Sequence, residues 1–92
     1  MIKVAILDDH QAVIDGYLFR LSSAVDIKVT SQLIFGEEVE PALEARPADV
    51  IILDVSVPTS ETNPNPYPIL YLIPRLVEKY PDLSILVISS RY

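Results

Sequence analysis

The stretch IILDVSVP, residues 51–58, carries the clearest indication of the fold. Ile51, Ile52 and Leu53 continue an apolar run that begins at Val50, and such a run predicts a strand. A continuously apolar strand is typical of the centre of a parallel sheet that helices cover on both faces. Asp54 follows the run directly, and a carboxylate in that place costs free energy unless another group compensates its charge.

On both sides of this stretch, strand patterns alternate with helix patterns. The predicted strands are Lys3–Leu7, Asp26–Gln32, Val50–Leu53 and Ile85–Ile88. Apolar residues at helical spacing predict helices over residues 11–23, 37–45 and 69–80. The order βαβαβαβ predicts an α/β fold with a doubly wound parallel sheet.

Proline and glycine residues interrupt these elements. Gly36 marks the end of the second strand, and Pro41 is compatible with the second helix only in its first turn. Pro74 should kink the third helix or delay its regular part. The segment Pro58–Pro68, which is rich in Pro, Asn, Ser and Thr, is predicted to be a loop.

Composition limits the class of protein. The chain has 92 residues, enough for one small domain over residues 1–92. Its net charge of −6 and its scattered basic residues argue against direct nucleic-acid binding. The absence of cysteine excludes disulfides and thiolate metal sites and fits a cytoplasmic location. No apolar run in the sequence is long enough to span a membrane, and residues 1–10 are typical of a first strand rather than of a signal peptide.

Polar residues follow three of the predicted strands. Asp8 and Asp9 end the first strand, Asp54 ends the third, and Ser89 ends the fourth. Because ligands of open parallel sheets bind at the carboxyl ends of the strands, these side chains should share one pocket. Clustered carboxylates repel one another, and Mg²⁺, which prefers oxygen ligands, would relieve that repulsion.

Each of these residues also has a purely structural interpretation. Asp8 and Asp9 could cap the helix that follows them, and Asp54 could form an Asx turn. Ser89 could be an ordinary loop residue, and His10 is interpreted as a solvated residue at the helix start. The coincidence of three strand ends favours a joint site over these separate explanations.

Three motifs carry a resemblance to a known family. The segments LDDH (7–10), LDVSVP (53–58) and LVIS (86–89) resemble the signatures of the response-regulator receiver domain. The DDH form, with Gly16 further along, is similar to the branch found in LuxR/NarL-type regulators. The resemblance implies a flavodoxin-like, CheY-like sheet with strand order 2-1-3-4. It also implies a domain truncated after the fourth strand, without the fifth strand and the last helices.

The resemblance also implies a role for individual residues. Asp54 would accept a phosphoryl group from a sensor histidine kinase. Asp8, Asp9, Asp54 and the backbone carbonyl of Ser56 would bind Mg²⁺. Ser89 would contact the phosphoryl group and act as part of a conformational switch. The chain would form homodimers, and a separate DNA-binding domain would regulate transcription.

Two departures from the family pattern keep other functions open. The segment TSETNPNPYP replaces a short glycine-containing turn, and a fifth-strand lysine is missing, for which Lys79 in the third predicted helix cannot substitute. The truncation and the long loop favour a phosphorylation-independent dimerisation or interaction module as the alternative. A Mg²⁺-dependent phosphohydrolase is disfavoured because Ser56 stands where such enzymes usually carry a second acid.

Overall fold

The computed structural model describes residues 1–89. The strands are β1 (Ile2–Leu7), β2 (Ile27–Leu33), β3 (Val50–Asp54), β4 (Pro58–Ser60), β5 (Asn63–Pro66) and β6 (Ser84–Ile88). The helices are α1 (Gln11–Leu21), α2 (Val39–Ala45) and α3 (Ile69–Lys79). No helix within residues 1–89 has the length and apolar character that crossing a membrane requires.

The main sheet has the predicted topology. Its strands run in the order β2-β1-β3-β6, and each neighbouring pair is parallel. The predicted order 2-1-3-4 is therefore confirmed, with β6 as the fourth strand of the prediction. β1 and β3 lie in the centre, so their carboxyl ends meet at the same edge of the sheet.

Two apolar layers cover the two faces of this sheet. On one face, residues of β1 and β3 such as Leu7 and Leu53 pack with Leu43 of α2 and Leu76 of α3. On the other face, alternate strand residues pack against α1, chiefly through Ile14. This alternation explains the continuous apolar run of β3, because both of its faces are buried.

The structure corrects one local prediction and shows where two helix prolines lie. The predicted loop Pro58–Pro68 contains an antiparallel hairpin of β4 and β5, in which Pro58 pairs with Pro66 and Ser60 with Asn63. The second helix begins with a 3₁₀ turn at Gly36–Glu38, so Pro41 falls in the first turn of α2, as required. Pro74 lies inside α3, which is continuous from Ile69, so a delayed start is excluded and the kink stays a prediction.

Helices α2 and α3 are joined at the surface by charged side chains. Arg75 donates a hydrogen bond to Glu40, and Lys79 Nζ lies 2.6 Å from Glu44 Oε1. Lys79 therefore binds an acid of α2 at the C-terminal end of α3. α3 runs antiparallel to the strands, so its C-terminal end lies away from the carboxyl ends of β1 and β3. This position agrees with the expectation that Lys79 takes no part in the predicted site.

The Glu44 contact predicts a small, pH-dependent contribution to stability. The hydrogen bond from Lys79 lowers the pKa of the Glu44 carboxyl below its ordinary value of 4.5. A carboxyl with a lowered folded-state pKa stabilises the fold above its unfolded pKa and loses that contribution as the pH falls. Glu44→Gln should lower the melting temperature slightly at pH 7, and in thermal unfolding this difference should fade as the pH falls through the titration range of the carboxyl. A difference that persists in acid would contradict this assignment.

Candidate functional site

The candidate site lies where β1 and β3 end side by side. Leu7 pairs with Leu53 in the parallel register, so Asp8 and Asp54 are the next residues of two adjacent strands. The carboxylate oxygens of Asp8, Asp9 and Asp54 and a ring nitrogen of His10 all lie within 4.8 Å of one another. The structure thus brings together the three acids that the sequence predicts at strand ends.

Asp8 is buried, with 1% of its surface exposed, and it orders the turn into α1. Its Oδ1 accepts a hydrogen bond of 2.9 Å from the backbone N–H of His10. The residue that caps α1 is His10, whose side chain makes no capping hydrogen bond. The N-cap position of α1 is therefore occupied by His10 and not by Asp8 or Asp9, for which helix capping was the alternative role.

Asp54 is fully buried, and its two carboxylate oxygens have different surroundings. Oδ1 accepts a hydrogen bond of 3.0 Å from the backbone N–H of Ser56, which is the Asx-turn contact considered from the sequence. Oδ2 has no hydrogen-bond partner among residues 1–89, and His10 Nδ1 lies 3.9 Å from it. The turn therefore accounts for only one of the two oxygens.

The ionisation of Asp54 reflects this environment. Burial raises the pKa of the Asp54 carboxyl, and the negative charges of Asp8 and Asp9 raise it further. The hydrogen bond from Ser56 lowers the same pKa and opposes these effects. Keeping the Asp54 carboxyl ionised therefore costs free energy, and a nearby cation would offset that cost.

His10 is a member of the cluster that sequence reasoning did not place there. Its side chain is 52% exposed, and its Nδ1 lies 3.0 Å from Asp8 Oδ1 and 3.1 Å from Asp9 Oδ1. The hydrogen bond with Asp8, followed by the charge of Asp9, raises the pKa of the imidazole. The only indication in the sequence was that His10 directly follows two acids. The turn that brings its ring back to these acids leaves no recognisable pattern in the local sequence.

The donor set fits a hard divalent cation. Asp8, Asp9 and Asp54 offer carboxylate oxygens within one small cluster, and Mg²⁺ and Ca²⁺ prefer such oxygen ligands. The buried Oδ2 of Asp54, without a hydrogen bond in the described part of the chain, is the atom that such an ion would satisfy. The residues present therefore fit Mg²⁺.

Ser56 and Ser89 follow β3 and β6 at the end of the sheet where the acids lie. Ser56 is half-buried two residues after Asp54 and lines, with Asp9, a cavity at this edge. Ile88 pairs with Asp54 in the register of β3 and β6, so Ser89 follows at the same end of the sheet. The structure thus places Ser56 beside the cluster and Ser89 at the same end of the sheet, while their roles toward an ion or a phosphoryl group stay predictions.

Comparisons with known proteins agree with this architecture. No protein-family profile matches the chain. The oxygen regulatory protein NreC of Staphylococcus epidermidis is 34% identical over 88 residues, which cover 95% of this chain and 37% of that protein. The uncharacterised transcriptional regulatory protein YhcZ of Bacillus subtilis is 27% identical over 88 residues, covering 96% of this chain and 38% of YhcZ. The chain thus spans less than two fifths of the length of these relatives.

Solved structures show the same likeness. RcsB from Salmonella enterica serovar Typhimurium, bound to the promoter rprA with the phosphomimetic BeF₃⁻, matches with a TM-score of 0.81 and 25% identity. That match covers 100% of this chain and 72% of the RcsB chain. The non-phosphorylated receiver domain of RcsB from Escherichia coli matches with a TM-score of 0.81 and 26% identity, over 98% of this chain and 66% of that chain. With its parallel sheet, the chain has the receiver-domain fold of RcsB and is similar in sequence to the regulatory proteins NreC and YhcZ, which is consistent with a receiver domain of a LuxR/NarL-type regulator.

Proposed function

We propose that this chain is a phospho-accepting receiver domain, in which Asp54 takes a phosphoryl group from a sensor histidine kinase with the help of Mg²⁺. The buried Oδ2 of Asp54 carries the proposal, because it lies inside an acidic cluster without a hydrogen bond from residues 1–89. An oxygen that no protein group binds is the one that could coordinate a cation or attack a phosphorus atom.

In this proposal, each residue around Asp54 has a separate role. The N–H of Ser56 holds Oδ1 and so fixes the orientation of the carboxylate. Asp8, Asp9, Asp54 and the carbonyl of Ser56 would hold Mg²⁺, which when bound neutralises charge on the transferring phosphoryl oxygens. Burial in the sheet excludes water from the Asp54 carboxylate and strengthens its interaction with charged groups. The Ser89 hydroxyl would donate a hydrogen bond to a phosphoryl oxygen and so relay the modification.

The proposed biological role follows from the relatives. NreC and YhcZ are regulatory proteins, and RcsB structures contain promoter DNA. We infer that this domain dimerises in the cytoplasm and controls transcription through a separate DNA-binding domain. Its chemistry would be confined to its own phosphorylation and dephosphorylation rather than to turnover of a separate substrate.

Incubation with acetyl phosphate and Mg²⁺ tests this function. We expect the intact mass to increase by one phosphoryl group, and we expect acid-labile modification of Asp54. Asp54→Asn should remove the adduct, and Asp9→Asn should slow its formation by about 10²-fold because a metal ligand is lost. Asp82→Asn, at an exposed position before β6, is the matched control and should react like the natural chain. A folded protein that gives no adduct would exclude the proposed function.

One observation favours a second candidate, the phosphorylation-independent interaction module. Leu86 and Val87 of β6 are 53% and 41% exposed, and among the described residues β6 forms an edge of the sheet. Exposed apolar strand edges pair with other chains. Self-association that is the same with and without Mg²⁺, and unchanged in Asp54→Ala by light scattering, would support this candidate over the first.

A further inference from the structure

His10 brings a nitrogen atom into the acidic cluster at the ends of β1 and β3. Its Nδ1 lies 3.0 Å from Asp8 Oδ1, 3.1 Å from Asp9 Oδ1 and 3.9 Å from Asp54 Oδ2. These four side chains together offer one nitrogen and three carboxylate oxygens within 4.8 Å of one another. The proposed function uses the oxygens and leaves the nitrogen without a role.

The position of the imidazole does not depend on helix capping. His10 occupies the N-cap of α1, but its side chain makes no capping hydrogen bond. Its backbone N–H donates to Asp8 Oδ1 at 2.9 Å and so holds the turn in which the ring lies beside the acids. The side chain is half-exposed, which leaves the ring room to adjust when an ion enters. The imidazole is therefore available as a ligand, and its removal should leave the fold intact.

The spacings between these atoms match those between ligands of one metal ion. Two ligand atoms that each lie about 2.1 Å from a metal are about 3.0 Å apart at a right angle and about 4.2 Å apart on opposite sides. The distances from Nδ1 to Asp8 and Asp9 correspond to the right angle, and the distance to Asp54 lies between the two limits. Only a small contraction of the cluster is therefore needed to bring all four atoms into one coordination shell.

A second observation points to an ion in the same place. The Oδ2 atom of Asp54 is buried and has no hydrogen-bond partner among residues 1–89. A buried carboxylate oxygen without a donor costs free energy, and a bound cation removes that cost. Oδ1 is already held by the N–H of Ser56, whereas Oδ2 is the oxygen that lies 3.9 Å from His10 Nδ1. The oxygen that needs a cation and the nitrogen that could bind one are thus neighbours.

The nitrogen decides which class of cation the cluster favours. Mg²⁺ and Ca²⁺ prefer oxygen ligands, whereas Ni²⁺ and Zn²⁺ also bind imidazole nitrogen well. We propose that the cluster is also a site for a divalent transition-metal ion such as Zn²⁺, with His10 Nδ1 as the ligand that selects this ion over Mg²⁺. The inference rests on the acidic cluster of the proposed function, but it does not require that Asp54 be phosphorylated. It gives the site a second state, in which another ion occupies the carboxylates that would bind Mg²⁺.

Affinities for the two metals test this selectivity. Zn²⁺ binding is measured by calorimetry and Mg²⁺ binding by backbone amide signals, in the natural chain, in His10→Ala and in the control Gln11→Ala. Loss of the imidazole should weaken Zn²⁺ binding by about 10–100-fold and should not weaken Mg²⁺ binding. Gln11 is the exposed neighbour of His10, and its replacement should change neither affinity. Equal weakening for both metals in His10→Ala, or unchanged Zn²⁺ binding, would overturn the inference.

The imidazole gives a direct readout, because His10 is the only histidine of the chain. In isotope-labelled protein, ZnCl₂ should shift the Nδ1 resonance strongly, while Nε2 carries the proton of the neutral ring. MgCl₂ should not produce this shift, because the imidazole is not among its ligands. An Nδ1 resonance that responds to Zn²⁺ no more than to Mg²⁺ would contradict the assignment of His10 as a ligand.

Phosphorylation separates this inference from the proposed function. A chain that is phosphorylated on Asp54 with Mg²⁺, but whose His10 does not respond to Zn²⁺, keeps the proposed function and loses the transition-metal site. A chain that binds Zn²⁺ through His10, but forms no adduct with acetyl phosphate and Mg²⁺, keeps the transition-metal site and loses the proposed function.

Discussion

Replacing Asp54 by asparagine is expected to stabilise the metal-free protein and to abolish its stabilisation by Mg²⁺. The natural carboxylate is fully buried, and burial followed by the charges of Asp8 and Asp9 raises its pKa. The neutral amide removes this repulsion while its oxygen still accepts the Ser56 N–H. We expect a gain of about 1–3 kcal/mol, since a buried polar group without a partner costs about that much and a charged carboxylate costs more than the neutral amide that replaces it. For a domain of this size the melting temperature should rise by about 4–8 °C per kcal/mol.

Mg²⁺ should reverse the order of the two proteins. A ligand that binds only the folded state stabilises it by about 2.7 kcal/mol at a hundred times its dissociation constant. The natural chain should therefore melt at a higher temperature as MgCl₂ is added, whereas Asp54→Asn, which lacks the central ligand, should respond little. Asp15→Asn removes an exposed acid of α1 and controls for the change in net charge. An Asp54→Asn protein that melts lower than the natural chain without metal would contradict the account of the buried carboxylate.

The parts of the site that could be predicted are those encoded by strand ends. Asp8 follows β1 and Asp54 follows the apolar run of β3, and parallel pairing brings the ends of neighbouring strands to one edge whatever the loops do. The apolar run before Asp54 indicates a central strand, and the central position of β3 confirms this. Periodicity and topology thus located the acidic cluster, because both act through the regular backbone of the sheet.

The parts that could not be predicted depend on contacts between distant residues. The hairpin lies in a segment of Pro, Asn, Ser and Thr that shows no alternation of apolar residues, and all four residues of β5 are exposed. Prolines at 58 and 66 stand opposite each other on a two-stranded ribbon, where missing N–H donors are tolerated because each strand is an edge. Gly36 indicated only the end of a strand, although its lack of a side chain makes room for Tyr67 far along the chain.

That contact predicts the second large effect, a severe loss of stability in Gly36→Ala. Gly36 is buried, and a Cβ atom there would overlap the ring of Tyr67, which packs against the core. The ring or the hairpin attached to it must move, and overpacking of this kind costs about 1–3 kcal/mol or more. We expect a loss near the upper limit, measured by urea unfolding. Displacement of the hairpin should also open the pocket that its prolines line together with Asp9 and Ser56.

Two comparisons separate this clash from a general effect of substituting glycine. Gly16 is exposed on α1, and a Cβ atom added there would meet no other atom within 4 Å. Gly16→Ala should therefore stabilise the protein by about 0.5–1 kcal/mol through helix propensity. In a chain that already carries Tyr67→Ala, Gly36→Ala should cost much less than in the natural chain, and the difference measures the coupling of the two residues. If Gly36→Ala is equally destabilising without the tyrosine ring, the hairpin is not held through this contact. The opposite signs expected for two identical substitutions follow only from where each glycine lies: one faces solvent, and the other faces the ring that fixes the wall of the site.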